Sequence, residues 1–223
     1  VGINGLQKPQ GDLYVGNAGT AMRLLSGLMA GQKFSVTLTG DRSLTKRPMN
    51  RVANPLREMS VIIDTADEGR PPMTIHGGTP TAIHYDMPMA SAQVKSCLLL
   101  AGLYADGTTS VTEPAPTRDH TERMLRGFGY VVQSQIHEGK NHISLAGGGE
   151  LNAITIDVPA DISSAAFFMV AASIAPNSDI TLQHVGINPT RDGIISILKL
   201  MGADITLHNA REVGGEPVVD IQV

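Results

Sequence analysis

With 223 residues the chain is long enough for one large domain or two small ones, and its 42% hydrophobic content supports a core of Ala, Leu, Ile, Val and Met, since aromatics are only 4% and Trp is absent. A formal net charge of -4 argues against a general nucleic-acid binder, and so few aromatics argue against a base-stacking RNA platform. The single cysteine, Cys97, excludes an internal disulfide framework and fits a reducing compartment, and no apolar run reaches membrane-spanning length.

No signal-peptide pattern opens the sequence, so a cytoplasmic protein is expected; Val1 stands in mid-pattern, and the chain reads as a piece of a longer one. Periodicity predicts a strand over 13–15, a helix over 17–30 and a strand over 34–39. A second helix follows over 48–59, with Met49, Val52, Leu56 and Met59 on one face and Pro48 suited to its first turn; strands over 60–65 and 72–76 complete a unit. The same order returns as strand 81–87, helix 91–105, strand 108–113, helix 119–128, and strands 130–136 and 141–145. In that second helix Asp119 is the expected cap, with Glu122 three residues on as a capping-box partner. It returns again as strand 153–158, helix 162–175, strand 179–185, helix 191–201, and strands 203–208 and 217–223.

The chain is therefore α+β, with three β-α-β-α-β-β units of about 72 residues each. Residues repeat in register with the elements. Asn17, Ser91 and Asp161 are N-cap types at the head of each first helix; Thr45-Lys46, Thr117-Arg118 and Thr190-Arg191 head each second helix. Pro-Thr-Arg-Asp occurs at 116–119 and again at 189–192, and Gly129 and Gly202 follow second helices, where a C-terminal glycine cap is expected.

The stretch Gly16-Asn17-Ala18-Gly19-Thr20-Ala21-Met22-Arg23 carries the first chemical signal. Asn17 is placed to cap the helix, Gly19 lets a ligand approach the backbone, and free N–H groups with the helix dipole favour an anion there. Arg23, one turn on, can add a forked pair to a carboxylate or phosphate; Arg42, Lys46, Arg47 and Arg51 crowd a second helix start, and Arg118 heads the matching helix of the next unit. Ser91 and Gln93 with nearby backbone N–H groups can hold hydroxyls or phosphate. Capping alone accounts for Ser91, and solvation alone for any one of the cations. Cys97, in Cys-Leu-Leu-Leu-Ala-Gly, reads as a core thiol and not a nucleophile. No P-loop is present, the histidines lack metal-ligand spacing, and Gly147-Gly148-Gly149 reads as a turn; His120 reads equally as a site residue or a solvated one.

Four motifs, 16–23, Leu44-Thr45-Lys46-Arg47-Pro48-Met49, Met89-Ala90-Ser91-Ala92-Gln93-Val94-Lys95-Ser96 and Thr117-Arg118-Asp119-His120-Thr121-Glu122, resemble the 5-enolpyruvylshikimate-3-phosphate synthase family in order and across the whole chain. The wording at 44–49 and 117–122 is similar to the bacterial class that includes herbicide-tolerant members. The resemblance implies the enolpyruvate transferase α/β-prism fold, two domains of three units each. Residues 1–157 would then be two units of the first domain, lacking its first unit, and 158–223 one unit of the second, with the hinge near Asp157 to Asp161.

It also implies transfer of the enolpyruvyl group of phosphoenolpyruvate to the 5-hydroxyl of shikimate 3-phosphate, releasing phosphate, by addition and then elimination. No metal or organic cofactor, no nucleic acid, no membrane and a monomeric full-length protein are implied with it. Carried over residue by residue, Asn17, Gly19, Arg47 and Gln93 line the phosphoenolpyruvate pocket; Ser91, Ala92, Gln93, Thr117 and Arg118 lie against shikimate 3-phosphate, and Arg23 supports the loop. Where the family often has Ser, Ala92 contacts through its backbone only. The family's early Lys-Ser…Arg motif and later Asp and Lys-Glu…Arg groups are not in this sequence, so no catalytic residue is assigned and the chain alone is expected to be inactive. In sensitive members glyphosate takes the phosphoenolpyruvate place, where Gly19 leaves room that a methyl would fill. The competing expectations are the enolpyruvyl transferase acting on UDP-N-acetylglucosamine, which usually carries a cysteine in a mobile loop, and a non-catalytic anion-binding repeat module.

Overall fold

The threefold recurrence of the sequence reappears as three sheets in the computed structural model, which describes residues 5–223: two of four strands with one connectivity, and a third of three strands that lacks their first. In the first, β1 (Leu13–Tyr14) pairs parallel with β2 (Ser35–Thr39), which pairs antiparallel with β4 (Arg70–His76) and through it with β3 (Ile62–Ala66). Between the strands lie α1 (Gly19–Ala30) and α2 (Asn50–Glu58). The second sheet repeats the order with β5 (His84–Asp86), β6 (Thr108–Glu113), β8 (Lys140–Ala146) and β7 (Gln133–His137), and carries α3 (Ala92–Gly102) after its first strand. The third has β9 (Thr181–Gly186), β11 (Glu216–Gln222) and β10 (Thr206–Val213), with α5 (Ile162–Ile174) and α6 (Gly193–Leu200). A further helix, α4 (His120–Gly127), lies between β6 and β7 in sequence.

The α2 stripe folds as its spacing requires: Met49, Val52, Leu56 and Met59 are all fully buried in the first core, with Met22, Leu38, Met73 and Ile75. Each such side chain contributes about 1.5–3 kcal/mol of burial. Gly129 and Gly202 both adopt positive φ (80° and 93°) directly after their helices, as a C-terminal cap needs. The corresponding residue after α2 is Ser60, which takes the same left-handed backbone (φ 64°) without being glycine.

The predicted strand over 153–158 does not form. Only Ala160 bridges, parallel, to Val185, and Val158 is 77% exposed. On that edge of β9, Ala160 N–H donates to His184 O (2.8 Å) and Gly186 N–H to Ala160 O (3.0 Å), while His184 itself has φ 58° and gives its N–H to Asp220 Oδ1 at 2.8 Å, so the regular ladder is interrupted there.

By their contacts the residues fall into two units. One runs up to Thr117 and includes Gly129–Leu151; the other is Arg118–Phe128 with Asn152–Val223. The sequence places 119–128 with the earlier strands and the division after 157; the contacts carry α4 to the second unit. There Arg123 Nη1 donates to Gly215 O (3.3 Å), Asn188 Nδ2 to Asp119 Oδ1 (2.7 Å), and His120 Nδ1 lies 2.7 Å from Glu216 Oε1. Asp119 precedes α4 but caps nothing with its side chain, because its carboxylate is taken by Asn188 and by Arg123 Nε (2.9 Å); the expected capping box is absent.

Candidate functional site

In the first unit the loops after β1 and β2 are stitched together. Val15 N–H donates to Thr39 O and Asp41 N–H to Gly16 O, each at 2.9 Å. Gly16 turns the chain with φ 58°, and a Cβ on Gly40 would lie 2.6 Å from Gly16 O, so both glycines are required by the crossing. Asp41 starts the short turn Leu44–Lys46 by accepting from Ser43 N–H (2.9 Å) and Leu44 N–H (2.7 Å). Arg47 leaves that turn pointing back at the first loop.

Asn17 does not cap α1; Ala18 occupies that place with no side-chain bond. The Asn17 amide is spent elsewhere: Nδ2 donates to Asp41 Oδ2 (2.8 Å), and Oδ1 accepts from Arg47 Nη2 (2.6 Å). The Asn17 hydrogen bond, with those from the Leu44 and Ser43 amides and the Arg47 charge, holds the Asp41 carboxyl below its ordinary range. One consequence is that, among the described residues, the Thr20 and Ala21 N–H groups at the head of α1 have no hydrogen-bond partner, and they form its positive end.

Two guanidinium groups flank Gly19. A Cβ there would lie 3.1 Å from Arg23 Nη1 and 3.3 Å from Arg47 Nη1. Burial, and then the positive charges of Arg51 and Arg47, hold the Arg23 pKa below its ordinary value, as expected where cations crowd together. Arg23 Nη1 donates to Gln93 Oε1 (2.8 Å), and Gln93 Nε2 to Thr20 Oγ1 (2.7 Å), fixing both ends of that amide. Arg23 is thus more than loop support: it aims Gln93, 70 positions away, at the same helix tip.

The third sheet's unit makes an instructive contrast. There Arg191 pairs with Asp161 Oδ1 (3.0 Å) and with Ser163 Oγ, in the place where Arg47 meets Asn17. Asp161 also caps α5, accepting from Ser163 N–H at 3.0 Å. Asp161 pairs directly with Arg191, whereas the group bonded to Arg47 is the neutral amide of Asn17, and the Asp41 carboxylate acts directly on Arg47 only as a nearby charge.

The sequence-predicted residues divide accordingly. Asn17, Gly19, Arg47 and Gln93 are brought together through Arg23 and Thr20. Ser91 caps α3, accepting from Val94 N–H at 3.4 Å, and Ala92 is the first residue of that helix. Thr117 gives its hydroxyl to Glu113 Oε1, while Arg118 belongs to the second unit. The sequence reading missed Glu113, which is fully buried with Lys95 Nζ 3.2 Å from its carboxylate. Its signal was present: Thr109, Val111 and Glu113 alternate along β6 and all point inward.

Cys97 is fully buried on α3, and burial pushes its thiol up to about 12. In the native protein it is expected to react with a disulfide reagent at least about a hundredfold slower than in urea, since the thiolate fraction and access both collapse. Equal rates, measured by absorbance, would contradict its core placement. Among the described residues no cluster of three potential metal-ligating side chains occurs, and no helix is long and apolar enough to cross a membrane.

Residues 2–222 match the family model described as EPSP synthase (3-phosphoshikimate 1-carboxyvinyltransferase). The chain is 62% identical to the 3-phosphoshikimate 1-carboxyvinyltransferase of Hydrogenovibrio crunogenus, over all of the chain and 51% of that protein. It is likewise 62% identical to the Methylococcus capsulatus protein of the same name, over 50% of its length. A solved structure of EPSP synthase from Acinetobacter baumannii matches the whole chain with a TM-score of 0.89 at 59% identity, over 50% of that chain. The chain thus spans about half the length of the curated relatives it matches.

Proposed function

The chain belongs to the EPSP synthase (3-phosphoshikimate 1-carboxyvinyltransferase) family, and from that premise we propose that it is the central part of an enzyme joining phosphoenolpyruvate to shikimate 3-phosphate in aromatic amino-acid biosynthesis. Residues 1–157 supply two of the three units of one domain, and 158–223 one unit of the other. The observation that carries the proposal is the Arg23–Arg47 pair flanking Gly19 at a helix tip with unpartnered N–H groups. Both substrates carry a phosphate and a carboxylate, and such a tip offers charge-assisted, preorganised donors to exactly that kind of group.

Asn17, Gly19, Arg47 and Gln93 hold phosphoenolpyruvate; Ser91, Ala92, Gln93, Thr117 and Arg118 hold shikimate 3-phosphate. The acid and base come from the remaining half of the enzyme, which is a cytoplasmic monomer needing no cofactor. Positioning two bound anions and stabilising the charge that develops as the enol carbon is protonated and attacked are the tasks these residues perform.

Phosphate release by the full-length protein with phosphoenolpyruvate tests this, using shikimate 3-phosphate and UDP-N-acetylglucosamine as alternative acceptors. Turnover is expected with the first only, and none from residues 1–223 alone. Turnover with the sugar nucleotide, or no calorimetric binding of shikimate 3-phosphate, would overturn the proposal. The burial of Cys97 on α3 speaks against the sugar-nucleotide enzyme, which usually carries a cysteine in a mobile loop.

Gly19→Ala gives a sharper result. Its methyl would press on Arg23 Nη1 and Arg47 Nη1, at 3.1 and 3.3 Å, displace both guanidinium groups and fill the room left beside the helix tip. The KM for phosphoenolpyruvate and the inhibition constant for glyphosate are both expected to rise by about tenfold or more, a loss of about 1.4 kcal/mol. Steady-state kinetics with unchanged constants would remove Gly19 from the site.

A further inference from the structure

Asp41 stands at the start of the turn that delivers Arg47, and its two carboxylate oxygens have separate tasks. Oδ1 accepts from the Ser43 and Leu44 N–H groups, at 2.9 and 2.7 Å, and so shapes that turn. Oδ2 accepts from Asn17 Nδ2 at 2.8 Å, and Asn17 Oδ1 in turn accepts from Arg47 Nη2 at 2.6 Å. An ionised carboxylate can only accept and a guanidinium can only donate. The amide between them therefore has one allowed orientation, nitrogen toward Asp41 and oxygen toward Arg47. The Asn17 hydrogen bond, followed by those of the Leu44 and Ser43 amides, holds the Asp41 carboxyl below its ordinary range, so at neutral pH it is ionised and the orientation is fixed. Arg47 Nη2 also lies 3.3 Å from Ser43 Oγ. With that end tied down, Nη1 is the end of the guanidinium left beside Gly19, 3.3 Å from where a Cβ would stand.

We propose that Asp41 is a positioning residue for the phosphoenolpyruvate subsite: by ordering the Asn17 amide it sets the plane of the Arg47 guanidinium and turns Nη1 to the head of α1. This rests on the proposed function above, which places Arg47 against phosphoenolpyruvate. The third sheet's unit shows the direct alternative. There Asp161 Oδ1 meets Arg191 at 3.0 Å, so the group that orients the arginine is also the anion that occupies it. In the first unit the amide of Asn17 is interposed, and the arginine is held just as firmly with the carboxylate one side chain further away. Attraction between charges falls with distance, so a carboxylate acting through an amide cancels less of the arginine's field than one in contact. Asp41 thus supplies direction to Arg47 while the forked, charge-assisted contact remains for a substrate anion.

The test uses the full-length enzyme. Asp41→Asn keeps an oxygen for the Ser43 and Leu44 amides but presents an NH2 group to Asn17, so either that contact or the Asn17–Arg47 bond is lost. The KM for phosphoenolpyruvate is expected to rise by about five- to tenfold, the loss of about one hydrogen bond, with the KM for shikimate 3-phosphate within about twofold of wild type. Asn17→Ala, which leaves the turn's own hydrogen bonds in place, should raise the phosphoenolpyruvate KM at least as much. In that background Asp41→Asn should add no more than about twofold, because the two residues act in series. An unchanged phosphoenolpyruvate KM in either single variant, equal rises for both substrates, or a full Asp41→Asn penalty that persists without the Asn17 amide would overturn the assignment while the enzyme's identity stands. Wild-type protein that fails to turn over shikimate 3-phosphate would overturn the functional proposal and this one with it.

Discussion

Gly27→Ala is expected to destabilise the full-length protein by about 3 kcal/mol or more, lowering the Tm of the domain that contains it by about 6–12 °C. Gly27 sits on the buried face of α1 where that helix crosses α3. A Cβ there would lie 2.0 Å from the Cys97 carbonyl oxygen and 2.8 Å from its carbon. The clash is with backbone, so no rotamer relieves it; the helices must separate and the core between them must open. Gly31, one turn on, is equally tight against the Tyr104 ring, so the close crossing depends on two glycines on one stripe. Gly193→Ala is the control. It begins α6 with nothing within 4 Å of its Cβ, and alanine there should be neutral or stabilising by up to about 1 kcal/mol. Scanning calorimetry decides: a Gly27→Ala Tm within about 2 °C of wild type would show that α1 and α3 do not meet at this point.

The second large effect concerns the buried ion pair. Lys95 and Glu113 are both 0% exposed, so removing either takes an opposite charge away from a charge buried in the core. Lys95→Ala and Glu113→Ala are each expected to cost about 3–5 kcal/mol. The neutral double replacement Lys95→Met/Glu113→Gln should cost far less than the two singles together, because both members of the pair lose their charge at once and glutamine still offers an oxygen to Asn141. Urea unfolding of wild type and these three variants measures the losses. Additive losses would mean that the two side chains do not share one desolvated site.

Much of the fold was legible because it depends on local rules. The α2 stripe, the caps at Ser91 and Asp161, and the left-handed glycines after α4 and α6 all follow from the spacing and chemistry of neighbouring residues. Local rules failed where a distant group offered a better bond. Asn17 was free to cap α1, yet Asp41 and Arg47 claim both ends of its amide. Asp119 was free to cap α4, yet Asn188 and Arg123 take its carboxylate. The alternation over 153–158 is a good strand pattern, but the strand it would join, β9, is irregular at His184, which has φ 58° and gives its N–H to a distant side chain, Asp220.

Sequence by itself determined the family and the recurrence of one unit along the chain, since each is written in motifs a few positions long. Only the tertiary structure decided that Arg23 holds Gln93 and that a carboxylate faces Arg191 but an amide faces Arg47. Those are choices between competing hydrogen-bond partners. They are settled by which donors and acceptors the packed core brings within 3 Å, a distance the order of residues along a chain does not encode.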